Sequence, residues 1–61
     1  MRNLKSVIVD KYLFTLSYDR VTTTFYVTEH LGVGNTYQAS FSLLSEAERF
    51  FDLLVEQANK S

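Results

Sequence analysis

Apolar residues near the C-terminus recur with a helical period. Ala47, Phe50, Phe51, Leu54, Val55 and Ala58 fall at i, i+3, i+4, i+7, i+8 and i+11, which is one face of an α-helix. Arg49, Asp52, Glu56, Gln57 and Lys60 take the wet face, and Leu53 sits off the main stripe, partly exposed. Ser45 followed by Glu48 has capping-box spacing, with Glu46 and Glu48 near the positive end of the helix dipole. The pattern predicts a helix over 45–59.

Upstream, the period changes to two. Tyr12, Phe14, Leu16 and Tyr18 alternate with Leu13, Thr15 and Ser17, and Phe25 and Val27 alternate with Thr24, Tyr26 and Thr28. Threonine, tyrosine, phenylalanine and valine at these positions suit a half-buried pleated surface. A hairpin tip at Asp19-Arg20 pairs Tyr18 with Val21, Leu16 with Thr23, Phe14 with Phe25 and Tyr12 with Val27, which keeps all of them on one face. Tyr37, Ala39, Phe41 and Leu43 continue that face from a third strand, after a loop that is either Gly32–Gly34 or Gly32–Thr36. The shorter loop puts Gly34 where a left-handed residue is often needed.

Residues 4–9 extend the first strand in this reading, giving strands over 4–18, 21–31 and 35–43. The same register faces Asp10 with Glu29 and Val9 with His30. Like charges directly opposite are unfavourable, so either a β-bulge near Asp10-Lys11 or an end to the pairing is expected there. The fold class read from the pattern is α+β. It is a three-stranded antiparallel meander packed on one C-terminal helix, in β-β-β-α order, and residues 1–61 make a single domain.

Composition narrows the function. With 61 residues and no cysteine, disulfides and thiolate metal sites are excluded, and a domain this small needs a dense core, self-association or both. Four tyrosines and five phenylalanines supply large apolar area. A formal net charge of −1 disfavours nucleic-acid binding, which requires several phosphates to be neutralised. No apolar run is long enough for a membrane span and no leader pattern opens the chain, so the expected compartment is the cytoplasm.

Little in the chain offers chemistry. Asp10 and Glu29, if adjacent, resemble a proton-sharing or cation-binding pair, but no nucleophile or second base accompanies them. His30 is the sole histidine and lacks a partner at triad or metal spacing. Gly32-Val33-Gly34-Asn35 lacks the lysine and the strand-to-helix context of a phosphate loop, and a hairpin turn explains it. No catalytic residue, cofactor or metal is assigned.

The outer sheet face is the informative surface. It is expected to present Thr15, Ser17, Thr22, Thr24, Thr28, Gln38, Ser40 and Ser42, with Leu13 and Tyr26 paired among them, Val7 and Val9 near one end, and His30 beside Val9. Such a face is either a solvated threonine-rich surface or a protein interface with an aromatic and aliphatic centre. The candidate contact set is Leu13, Thr15, Thr24, Tyr26, Thr28 and His30.

The junction Phe41-Ser42-Leu43-Leu44-Ser45-Glu46-Ala47-Glu48-Arg49-Phe50 resembles the strand-to-helix segment of AP2-like DNA-binding domains, including the arm-binding domains of phage integrases. Phe41, Glu46, Ala47, Glu48 and Phe50 match at the same spacing. The resemblance covers about ten residues and implies three strands followed by a helix. It also implies a DNA-reading sheet of arginines and aromatics, whereas threonines stand here at Thr22, Thr24 and Thr28. The leading expectation is therefore a non-enzymatic, homodimeric protein-interaction module with an unidentified protein partner. Its size and character fit the small phage inhibitors of host enzymes or defence systems, anti-CRISPR proteins among them. The alternative is a nucleic-acid-binding accessory protein of AP2-like architecture.

Overall fold

The computed structural model of the chain describes residues 1–31 and 35–60. Its elements run β1 (Arg2–Val9), β2 (Tyr12–Asp19), β3 (Thr24–Leu31), β4 (Asn35–Phe41) and α1 (Leu44–Lys60). The strands form one antiparallel sheet in the order β1-β2-β3-β4. The α+β class, the antiparallel meander and the C-terminal helix agree with the sequence pattern. The strand count does not: there are four strands rather than three.

The additional strand comes from the segment expected to run unbroken over 4–18. The chain instead reverses at Asp10-Lys11, pairing Val9 with Tyr12, Ile8 with Leu13 and Val7 with Phe14. The apolar alternation jumps phase at this point, from Val7 and Val9 to Tyr12 and Phe14. In one straight strand these pairs would project from opposite faces, whereas a two-residue turn brings all four to the core side. Asp10 has φ 56°, a left-handed conformation that aspartate tolerates and that tight hairpin turns demand at their first central position. Val7 and Val9 thus pack against the core and do not belong to the outer face.

The sheet's bulge lies elsewhere, between Asn3 and Lys5. Leu4 is the extra residue, so Lys5 as well as Val7 and Val9 falls on the helix side. The Asn3 amide lies 3.0 Å from Ser6 Oγ. Turned with its nitrogen inward, it donates to the carbonyls of Lys5 at 3.2 Å and Leu16 at 3.3 Å, spanning the bulge.

The β2–β3 register also differs from expectation. Tyr12 faces Leu31, Phe14 faces Glu29, Leu16 faces Val27 and Tyr18 faces Phe25, around a four-residue turn over residues 20–23. A two-residue Asp19-Arg20 turn would leave Leu16 opposite Thr23. The observed register replaces that with an apolar pair and stacks Tyr18 on Phe25, with ring centroids 4.6 Å apart. Asp19 Oδ1 accepts from the Val21 N–H at 2.9 Å, an Asx-turn that starts the reversal. Val21, expected in the core, is 92% exposed at the tip. The displacement is an even number of residues, so the face assignments of Phe14, Leu16, Phe25 and Val27 survive it.

Across the second hairpin, Leu31 pairs with Asn35 and Phe25 with Phe41. This matches the shorter loop alternative; the expected left-handed role of Gly34 falls outside the described residues. The strand ends at Phe41, two residues before the expected 43. Leu43 is 55% exposed, and its carbonyl accepts the first helical bond, from the Ala47 N–H at 3.1 Å. Leu43 therefore occupies the N-cap position and Ser45 lies inside the first turn, so the capping-box assignment of Ser45 and Glu48 does not hold.

The helix lays its apolar stripe across the sheet as its period requires. Ala47 and Phe51 are buried with Phe14, Leu16 and Val27, and Phe50, Leu54, Val55 and Ala58 pack around them. Phe50 meets Phe41 and Tyr37, with centroids 5.3 and 6.4 Å away. Each fully buried phenylalanine or leucine contributes about 1.5–3 kcal/mol. The stability of the domain therefore rests on very few side chains. Leu53 is 49% exposed, off the stripe as expected.

Candidate interaction surface

The helix covers one face of the sheet, and the cross-strand registers define what the other face presents. One row runs Ile8–Leu13–His30–Thr36, the next Ser6–Thr15–Thr28–Gln38, and a third Asn3–Ser17–Tyr26–Ser40. In a chain that is 21% charged, none of these positions carries an aspartate, glutamate, lysine or arginine. A charge appears only at the hairpin end, where Asp19 faces Thr24.

All six candidate contact residues lie on this face, on the two central strands. Leu13 faces His30 and Thr15 faces Thr28 directly; Tyr26 faces Ser17, and Thr24 faces Asp19. Leu13 and Tyr26 are not paired with each other, as the expected register required. They stand two rows apart, about 13 Å along the strands, so the apolar character is split between two positions. Thr28 occupies the middle of the grid and is only 9% exposed. The Thr36 hydroxyl reaches His30 Nδ1 at 3.4 Å, holding the imidazole toward β4.

Thr22 and Ser42 leave the expected face, the first into the β2–β3 turn and the second into the bend after β4. In their place β1 contributes Asn3, Ser6 and Ile8. Ile8 is 74% exposed beside Leu13, and together they make an aliphatic corner that the sequence reading missed. The phase jump at Asp10-Lys11 was the signal for it.

The carboxylates do not form a pair. Glu29 faces Phe14 on the core side and lines an open cleft of about 190 Å³ with Tyr12, Leu54, Gln57 and Ala58, while Asp10 lies in the β1–β2 turn. Val9 and His30, expected to face each other, pair instead with Tyr12 and Leu13. Among the described residues no group of three or more His, Asp or Glu is placed to hold a metal ion. A second cleft, of about 260 Å³, opens at the bulge between Leu4, Lys5, Leu16, Leu44 and Glu48. No described helix is long and apolar enough to cross a membrane.

Comparison with protein-family models, curated proteins and solved structures finds no significant match to this chain.

Proposed function

We propose that the chain is a non-enzymatic protein-interaction module that acts as a homodimer and engages a protein partner through the outer sheet face. The observation that carries this reading is the three-row grid without a single charged side chain, held on hydrogen-bonded strands and left uncovered by the helix. Depletion of charge at the centre, with a few aliphatic and aromatic contacts among hydrogen-bonding neighbours, is the composition expected of an interface core. A rigid sheet also loses little conformational entropy on docking. Such a module works by occupying a surface of another protein, as small inhibitors do.

The nucleic-acid alternative has less behind it. Lys11 and Arg20 sit in turns at opposite ends of β2, Arg49 and Lys60 on the helix, and Arg2 and Lys5 on the helix side of β1, opposite Tyr18 and Leu16. No lysine or arginine projects from the rows a nucleic acid would have to contact.

Partner capture from the source cells tests the reading. The double variant Leu13→Lys/Tyr26→Lys should lose proteins retained by the wild-type chain, while Arg49→Glu, on the wet face of the helix, should retain them. Both variants should keep the wild-type circular dichroism spectrum. Retention of the same proteins by the sheet variant would place the binding surface elsewhere.

A further inference from the structure

The sheet has two outer edges, and they are built differently. β1 carries Arg2 and Lys5 and is interrupted by the bulge at Leu4, all devices that blunt an edge against further pairing. Only residues 6–9 of it run regularly and uncharged. β4 reads Asn-Thr-Tyr-Gln-Ala-Ser-Phe: it has no charge and no proline, and its pairing with β3 shows no register shift from Asn35 to Phe41. Seven regular residues present about 23 Å of unpaired backbone.

We propose that this edge pairs with the β4 edge of a second copy, antiparallel about a two-fold axis at Gln38, to give one continuous eight-stranded sheet. The inference rests on the homodimeric reading above and assigns the dimer contact to β4, leaving the outer face free for a different partner. Parity restricts the register: an odd offset would set Thr36, Gln38 and Ser40 of one copy beside Tyr37, Ala39 and Phe41 of the other. Among even offsets, centring on Gln38 is the one that pairs all seven residues. It places Thr36 opposite the second copy's Ser40 and Tyr37 opposite its Ala39, a large ring beside a small side chain. No like charges meet anywhere along the strand.

The helix side of this edge also lacks a cover. Tyr37 is 53% exposed and Leu53 is 49% exposed, and Leu53 lies one turn beyond Phe50, which packs on Tyr37. In the paired sheet both helices fall on the same side, roughly four strand spacings or 19 Å apart. Packed helices approach to about 8–10 Å. The trough between them is floored by the two β4 strands, and the Tyr37 and Leu53 side chains of both copies fill it.

Sedimentation equilibrium at micromolar concentration, with charge pairs placed on the edge, tests the proposal. The wild-type chain should sediment at twice its 7.1 kDa mass. Thr36→Lys/Ser40→Lys sets ammonium groups opposite each other twice across the axis, and should dissociate at least about tenfold more readily than Thr36→Lys/Ser40→Glu, which sets opposite charges there. Positions 36 and 40 are about 13 Å apart within one chain, so the contrast reports on the contact between copies. Both positions are exposed, and unchanged circular dichroism confirms the fold in each variant. A wild-type monomer would overturn both the homodimeric reading and the edge assignment. A dimer that both double variants keep, or both lose, would overturn the edge pairing and leave the homodimeric reading, as would a dimer dissolved only by Leu13→Lys/Tyr26→Lys.

Discussion

Thr23 is a β-branched residue at φ 51°, a region where its Cβ crowds the backbone. Asp10 occupies the same region in the other hairpin, but its short carboxylate side chain suits such turns. The Thr23 hydroxyl donates to the Thr22 carbonyl at 2.7 Å, and the Thr24 hydroxyl donates to the same carbonyl at 3.1 Å. Both bonds are exposed, so their net contribution is small. Relief of the steric cost therefore wins. Thr23→Gly should stabilise the domain by about 1 kcal/mol even after the entropy glycine adds to the unfolded chain. For a domain of this size that is a rise of about 4–8 °C in Tm, read by thermal unfolding. An unchanged or lower Tm would show that the threonine bonds hold the turn more firmly than sterics oppose it.

At the scale of elements, the helix is fastened by burial rather than by charge. Lys5 Nζ lies 3.8 Å from Asp52 and 5.4 Å from the centre of the Phe51 ring, yet the two ion-pair side chains are 46% and 69% exposed. Water screens a pair of this kind to about 0–1 kcal/mol. Phe51 is 2% exposed, and its truncation leaves a cavity under the helix. Phe51→Ala should cost about 3–5 kcal/mol, most of what so small a domain holds, while Asp52→Ala should cost less than about 1 kcal/mol. Urea titration of the two neighbours decides the matter, and equal losses would contradict it. The helix was legible in the sequence for the same reason: a period of 3.6 sustained from Ala47 to Ala58 has few alternative readings. The division of β2, β3 and β4 into a core side and an outer side was legible because side-chain parity depends only on alternation. Register was not, since any even shift satisfies the same alternation and only the turn distinguishes them. The Asx bond from Asp19 and the left-handed Thr23 make that turn, and neither residue signals a four-residue loop by composition. The split at Asp10-Lys11 was written in the phase of Val7, Val9, Tyr12 and Phe14. Reading one long strand across it cost the sheet a strand and hid Asn3, Ser6 and Ile8 from the candidate surface.

Across the whole molecule, charge is kept off the three rows of the outer sheet face. The chain measures 34 × 23 × 15 Å, and its shortest dimension accommodates one sheet layer and one helix layer. Two of the six basic residues are engaged locally, Lys5 with Asp52 and Lys60 with Glu56 at 3.1 Å. Lys11 and Arg20 flank an eight-residue strand, a separation of about 30 Å, well beyond the Debye length of about 8 Å at physiological salt. Arg2 pairs with Tyr18 and so lies near Arg20, but two cations at one end of the sheet fall short of the several phosphate contacts that nucleic-acid binding requires. A partner held by the uncharged grid releases few counterions, so its affinity should change by less than about threefold between 50 and 200 mM salt. A ligand held through 6–10 phosphate contacts would lose about 10³–10⁵ in affinity over that range. The same titration with duplex and single-stranded DNA and RNA should show no binding with a slope of several ions. A steep slope for any nucleic acid would mean that the turns and helix, rather than the neutral sheet, form the working surface. It would move the function to the basic rim and leave the sheet face as solvated scaffold.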